Sequence, residues 1–275
     1  MKNIHLLPNI LTALGLICGL FVIFKLNMTG VGAVDEAVLK SAAAFLLLAS
    51  LFDLLDGALA RALRVESEFG GFFDSIADAI TFGVAPSVIL LKSLSAMPGT
   101  FYSFLITTGA LVYSTCGVLR LVRFNVSGNQ KIKLHDDLDI TSKAYFIGLP
   151  IPAAAAATVS LDFVLMSQEL HEIFDPTDPQ RTFILFFALV FIGYLMVSRW
   201  RFPSLKGLQT KVTSFPLVFC LILTASAVFY GLLYNFAWVF FSLSWGYLCF
   251  SWSYFAVKYL MSRLKKFTKH ENNGN

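Results

Sequence analysis

Four aspartates set in apolar surroundings, Asp53, Asp56, Asp74 and Asp78, are the side chains of this sequence best placed to do chemistry. Asp53 and Asp56 are three residues apart, Asp74 and Asp78 four apart, and both spacings place a pair on one face of a helix. Carboxylates gathered in one place repel, and either take up protons or hold cations. Hard oxygen ligands suit Mg²⁺ or Mn²⁺, which commonly bind through a few carboxylates plus substrate phosphates. Two such divalent ions side by side would form a phosphoryl-transfer site. The carboxylates alone leave two other readings open: a cation pathway in a transporter, and structural pairing with Arg61, Arg64 or other cations. A charged side chain at the centre of a bilayer costs at least ~2.5–3.5 kcal/mol, so any of the three must compensate it.

The elements that position these residues are membrane helices. Of 275 residues, 57% are hydrophobic and only 14% charged, and the mean hydropathy is +0.71. A soluble domain carries about 25% charged residues. Nucleic-acid binding, a secreted disulfide scaffold and a soluble dinucleotide-dependent enzyme are excluded on composition. Cys18, Cys116, Cys220 and Cys249 fall in apolar runs at no metal-ligand spacing and read as small buried hydrophobes. His5, His135, His171 and His270 are scattered and form no His-rich site. Lys2 precedes the apolar stretch Ile10–Phe24, but no A-x-A-like cleavage site follows, so that stretch is expected to be a retained first helix.

Uncharged runs predict eight spans, at about 6–25, 41–62, 72–92, 101–120, 144–166, 182–198, 212–232 and 236–258. The last two divide one uncharged stretch, Val212 to Val257. As a single helix it would be about 69 Å long, so it is expected to turn near Gly231–Asn235. With the N-terminus in the cytoplasm, only Lys25, Lys40, Lys92 and Arg181 of the 21 cations fall outside. That bias predicts an all-α, polytopic helix bundle with both termini cytoplasmic. From Ser41 at the outer face, Asp53 lies about 18 Å in and Asp56 about 22 Å. Asp74 and Asp78 return from the cytoplasmic end, so the four carboxylates are expected to converge in the cytoplasmic third of the membrane.

Read outward, the aspartates belong to Asp53-Leu-Leu-Asp56-Gly57-Ala-Leu-Ala60-Arg61, then eight residues, then Gly70-Gly-Phe-Phe-Asp74-Ser-Ile-Ala-Asp78. This resembles the signature of the CDP-alcohol phosphatidyltransferase family, D-x-x-D-G-x-x-A-R-(x)8-G-x-x-x-D-x-x-x-D, with every fixed position present. The resemblance implies that Asp53, Asp56, Asp74 and Asp78 hold two divalent ions, Mg²⁺ or Mn²⁺. It also implies that Asp56, Gly57, Ala60, Arg61 and Gly70 bind the CDP-lipid, and it suggests a homodimer. Small residues beside the acids make physical sense, since they let a flat nucleotide approach the backbone, although close helix packing uses the same residues. Arg61 suits either the diphosphate or an Asp carboxylate. Pro8-Asn9-Ile-Leu-Thr12 is similar to a P-N-x-x-T segment of the family, which implies nucleotide contacts for Asn9 and Thr12. By itself it is ordinary capping chemistry.

Three further stretches resemble the phosphatidylserine synthase branch of the family: Arg120-Leu-Val-Arg123-Phe-Asn125, Gly148-Leu-Pro150, and Val197-Ser198-Arg-Trp-Arg201-Phe-Pro203. The resemblance thus covers most of residues 1–210. Residues 211–275 add two helices and a basic tail to what is expected to be a single domain over 1–275. Arg120, Arg123 and Lys143 could take the carboxylate of an amino-acid acceptor, and Asn125 its ammonium. Cations at a cytoplasmic helix end are also expected from orientation alone. The expected reaction is transfer of a phosphatidyl group from CDP-diacylglycerol to L-serine in a bacterial inner membrane, with Asp78 as general base. The same chemistry with glycerol 3-phosphate or an inositol phosphate is the alternative, and a cation transporter a more distant one.

Overall fold

The computed structural model describes residues 6–30, 34–65, 67–94, 96–133, 145–198, 200–203 and 235–253. They fall into two compact units, one holding residues up to 136 with 150–197, the other holding 137–149 with the chain from 198 onward. The first unit is helical: α1 (Leu6–Met28), α2 (Glu36–Leu63), α3 (Glu68–Asp78), a π-helical turn (Ala79–Val84), α4 (Ala85–Ser93), α5 (Phe101–Lys133), α6 (Ile151–Met166), α7 (Gln168–Ile173) and α8 (Asp178–Val197). The second contains β1 (Tyr145–Ile147), β2 (Arg201–Pro203) and a helix, α9, over residues 236–253.

Among the described residues, five helical segments are long and apolar enough to cross a membrane: Leu6–Met28, Ala37–Leu63, Glu68–Ser93, Phe101–Val126 and Asp178–Val197. They match the first four expected spans and the sixth. The fifth is shorter than expected. Instead of a helix from 144, Tyr145–Ile147 pairs antiparallel with Arg201–Pro203, Phe146 facing Phe202. Gly148 then takes a positive φ of 81°, and its N–H donates to the Trp200 carbonyl at 2.8 Å. Only after Pro150, with Pro152 in the first turn, does a helix of 16 residues begin, about 24 Å long. Glycine tolerates the positive φ and proline favours a helix start, so the boundary has a local cause. The expected α-helical architecture is borne out, with this short β-ribbon as a local departure from it. The expected span 212–232 lies outside the described residues.

Why the motif spacing folds as it does is visible at the α2–α3 corner. Asp35 caps the start of α2, accepting from the Val38 N–H at 2.9 Å. At its far end Arg64 adopts the left-handed conformation (φ 54°, ψ 41°), and its N–H reaches back to the Ala60 and Arg61 carbonyls. Ser67 then caps α3, accepting from the Gly70 N–H at 3.0 Å. Helix end, left-handed residue and new cap occupy the interval between Arg61 and Gly70. The chain reverses within it, and α3 returns beside α1.

α1 packs along α2, α3, the π-turn and α4 through a stripe of Pro8, Thr12, Gly15, Cys18, Gly19, Val22 and Leu26. The buried face of α2 runs Leu39, Ala42, Ala43, Leu46, Ala49. Asp53 and Asp56 continue that face at helical spacing. They point inward because the pattern of the helix puts them there. α5 packs along α8, and both carry large exposed apolar side chains such as Phe104, Leu111, Phe187 and Phe191. In water these would be a liability; against lipid they are a surface.

Candidate functional site

α2 and α3 bring three carboxylates together. Oxygens of Asp53, Asp56 and Asp74 lie within 4.8 Å of one another. Asp78, one turn beyond Asp74, lines the same cavity with Thr12, Gly15 and Leu16 of α1, Ala49 of α2, Ala77 of α3, and Thr81 and Phe82 of the π-turn. Gly15, Ala49 and Ala77 keep the helices close without filling the space between the acids. The donor set is oxygen only, anionic and convergent, which fits a hard divalent cation and no soft one.

The residues expected around the acids fall into three groups. Thr12 joins the site directly, and Asn9 lies beside Gly70 at the start of α3. The Thr12 hydroxyl lies 2.5 Å from Asp56 Oδ2 and donates to it, with the Pro8 carbonyl at 3.2 Å on the same proton. Asp56 is only 5% exposed, so this charge-assisted bond fixes its orientation. A Cβ on Gly70 would stand 3.1 Å from Asn9 Oδ1 and 3.0 Å from Ser67 Oγ. A side chain at 70 would press on both, so the Asn9 amide and the Ser67 hydroxyl would have to shift by a few tenths of an ångström.

Gly57, Ala60 and Arg61 form the second group. The Arg61 side chain folds back over Gly57, where a Cβ would meet Nη1 at 3.4 Å. The guanidinium thereby lies on the bare glycine backbone and acts electrostatically on Asp56. Ala60 is half-buried on the same helix.

The third group lies on α5, where the expected acceptor residues separate. Arg120 is half-buried and within electrostatic reach of Asp53 and Asp78. Arg123 instead donates from Nη1 to the Val197 carbonyl at 3.2 Å, at the end of α8, a favourable place for a cation. Asn125 donates from Nδ2 to Ser75 Oγ at 2.9 Å. Lys143 lies outside the described residues. Ser75 is a residue that sequence reasoning passed over. It follows Asp74 directly, and its hydroxyl donates to the Gly71 carbonyl at 2.9 Å, so it links α5 to the acid-bearing helix. A lone serine inside a motif gives no signal of that link.

A model of the CDP-alcohol phosphatidyltransferase family matches residues 5–249. The chain belongs to that family. It is similar to curated proteins named CDP-diacylglycerol–serine O-phosphatidyltransferase. The Helicobacter pylori protein (strain ATCC 700392 / 26695) is 34% identical over 241 residues, covering 84% of this chain and 89% of the relative. The Bacillus subtilis protein is 33% identical over 201 residues, covering 73% and 91%. The Methanocaldococcus jannaschii protein is 32% identical over 168 residues, covering 61% and 66%.

Proposed function

We propose that this protein transfers the phosphatidyl group of CDP-diacylglycerol to the hydroxyl of L-serine, giving phosphatidylserine and CMP. The observation that carries the reading is the convergence of Asp53, Asp56 and Asp74 oxygens within 4.8 Å, with Asp78 on the same cavity. The names of the relatives support serine as the acceptor. Family membership favours group transfer over cation transport.

Asp53, Asp56 and Asp74, with Asp78 beside them, would hold two divalent ions, Mg²⁺ or Mn²⁺. Such ions, when bound, neutralise charge on the diphosphate and on the departing CMP. Asn9, Thr12, Gly57, Ala60, Arg61 and Gly70 surround the side from which the CDP-lipid enters. Thr12 holds Asp56 in place. Arg61 has an anionic diphosphate as its alternative partner. The Asp78 carboxylate takes the proton of the serine hydroxyl as its oxygen bonds to phosphorus, and the bond to the CMP oxygen breaks. Arg120, Arg123, Asn125 and Lys143 are read as the acceptor side. Of these, Arg120 stands nearest the acids in electrostatic terms and is the one we assign to the serine carboxylate.

The cation bias of the loops supports a site on the cytoplasmic side, eight spans and both termini in the cytoplasm. A cytoplasmic-facing site suits a soluble amino-acid substrate, and a bacterial inner membrane is its natural place. The test is CMP release from CDP-diacylglycerol by purified protein in detergent, with L-serine or glycerol 3-phosphate. Release that needs serine and is lost with chelator supports the proposal. Release with glycerol 3-phosphate alone keeps the chemistry and overturns the acceptor.

A further inference from the structure

Immediately after Asp78 the helix widens into the π-turn Ala79–Val84, closed by the Ala85 N–H bonding to the Ile80 carbonyl five residues back. The local cause is Pro86. It has no N–H for the Phe82 carbonyl four residues before it, and its ring crowds that oxygen. Short π-segments inside α-helices concentrate at functional sites, and this one directly adjoins the acids.

Three neighbouring helices are shaped to it. On α5, the fully buried Tyr113 donates its hydroxyl to the Phe82 carbonyl at 2.9 Å. The next residue, Ser114, donates to the Gly83 carbonyl at 2.8 Å, and the Ser87 hydroxyl stands 2.9 Å from that of Ser114. On α1, a Cβ at Gly19 would lie 2.8 Å from the Thr81 Cα, so only glycine admits the widened turn there. From α6, Ile151 Cδ1 would stand 3.2 Å from a Cβ on Gly117 and 3.7 Å from one on Gly83. Two adjacent carbonyls of the turn are thus each taken by a hydroxyl from another helix.

We propose that Tyr113 and Ser114 are positioning residues for the acidic site. Their hydroxyls hold the π-turn, and the turn fixes how α3 is rotated, aiming Asp74 and Asp78 at Asp53 and Asp56. Neither residue touches the acids; both act through the Phe82 and Gly83 carbonyls. The inference rests on the reading of the acids as a divalent-cation site. It adds a structural reason for Pro86, Gly19 and two consecutive hydroxyl residues on α5.

The test is equilibrium Mn²⁺ binding to the full-length protein in detergent without substrates, followed by the spectrum of free Mn²⁺, with thermal unfolding beside it. Partners bonded directly to metal ligands change affinity about 10–100-fold when removed. Tyr113 and Ser114 act one step further out, so Tyr113→Phe is expected to weaken Mn²⁺ at the low end of that range, about tenfold, and Ser114→Ala less. The deciding variant is Pro86→Ala/Tyr113→Phe. It gives the Phe82 carbonyl an N–H donor and lets the helix become regular. Stability is then expected to return toward wild type while Mn²⁺ affinity stays low. Recovery of both together would show Tyr113 to be structural only and overturn the proposal. So would wild-type Mn²⁺ affinity in both single variants. Absence of Mn²⁺ binding by the wild type would overturn the cation site itself and this proposal with it.

Discussion

Charge is buried in the first unit in two ways. In the α6–α8 pair, Asp162 is 0% exposed, and its Oδ1 accepts from Arg181 Nη2 at 2.6 Å. Between α2 and α3, three carboxylates face one another instead. The first arrangement is closed: one anion meets one cation, and the pair ties two helices together. The second is open, because like charges held together gain from an added cation far more than from one another. An isolated acidic residue in a membrane helix is therefore ambiguous, and what it faces decides between scaffold and site.

The comparison can be broken most sharply at the acids. Asp78→Asn is expected to lower turnover by about 10²–10⁴-fold, the usual contribution of general base catalysis, while CDP-diacylglycerol still binds. Near-normal CMP release by that variant would remove Asp78 from the base role. Asp162→Asn should behave in the opposite sense. Leaving Arg181 buried without its counter-charge costs about 3–5 kcal/mol, to be read in thermal or denaturant unfolding, with the folded fraction still turning over. Replacing both, as Asp162→Leu/Arg181→Met, should recover most of that loss, since a buried pair often contributes little over apolar packing. A double variant that stays as unstable as the single one would assign the pair a larger role. The smallest effect is expected at Thr12→Val, which keeps the shape and removes the hydroxyl on Asp56. The Mn²⁺ concentration giving half-maximal activity should rise about tenfold, with little change in the KM for serine.

The two regions also differ in how far the sequence discloses them. The acidic site was legible because its geometry is local. Pairs at three and four residues share a helix face, and the interval from Arg61 to Gly70 is the length that a left-handed helix end and a serine cap require. The first four spans were legible for the same reason. Asp162 sits inside an expected span too, but its partner on another helix follows from packing, which spacing does not report. The β-ribbon between Tyr145–Ile147 and Arg201–Pro203 pairs segments far apart in the chain. Pro86 marks a disturbance in the third span. That its consequence is a π-turn held by Tyr113 and Ser114 depends on where α5 lies. Arg123 and Asn125 were readable as polar groups at a helix end; their partners, the Val197 carbonyl and Ser75, were not.

The central claim is that the open arrangement of acids is a phosphatidyl-transfer site. Its most direct test is conversion of labelled L-serine into organic-soluble phosphatidylserine by purified protein given CDP-diacylglycerol and Mn²⁺. Wild-type protein is measured beside Asp74→Asn, and each again after chelation. The account predicts product from the wild type with Mn²⁺, and none from the variant or after chelation. Equal product from Asp74→Asn, or product that survives chelation, would contradict it.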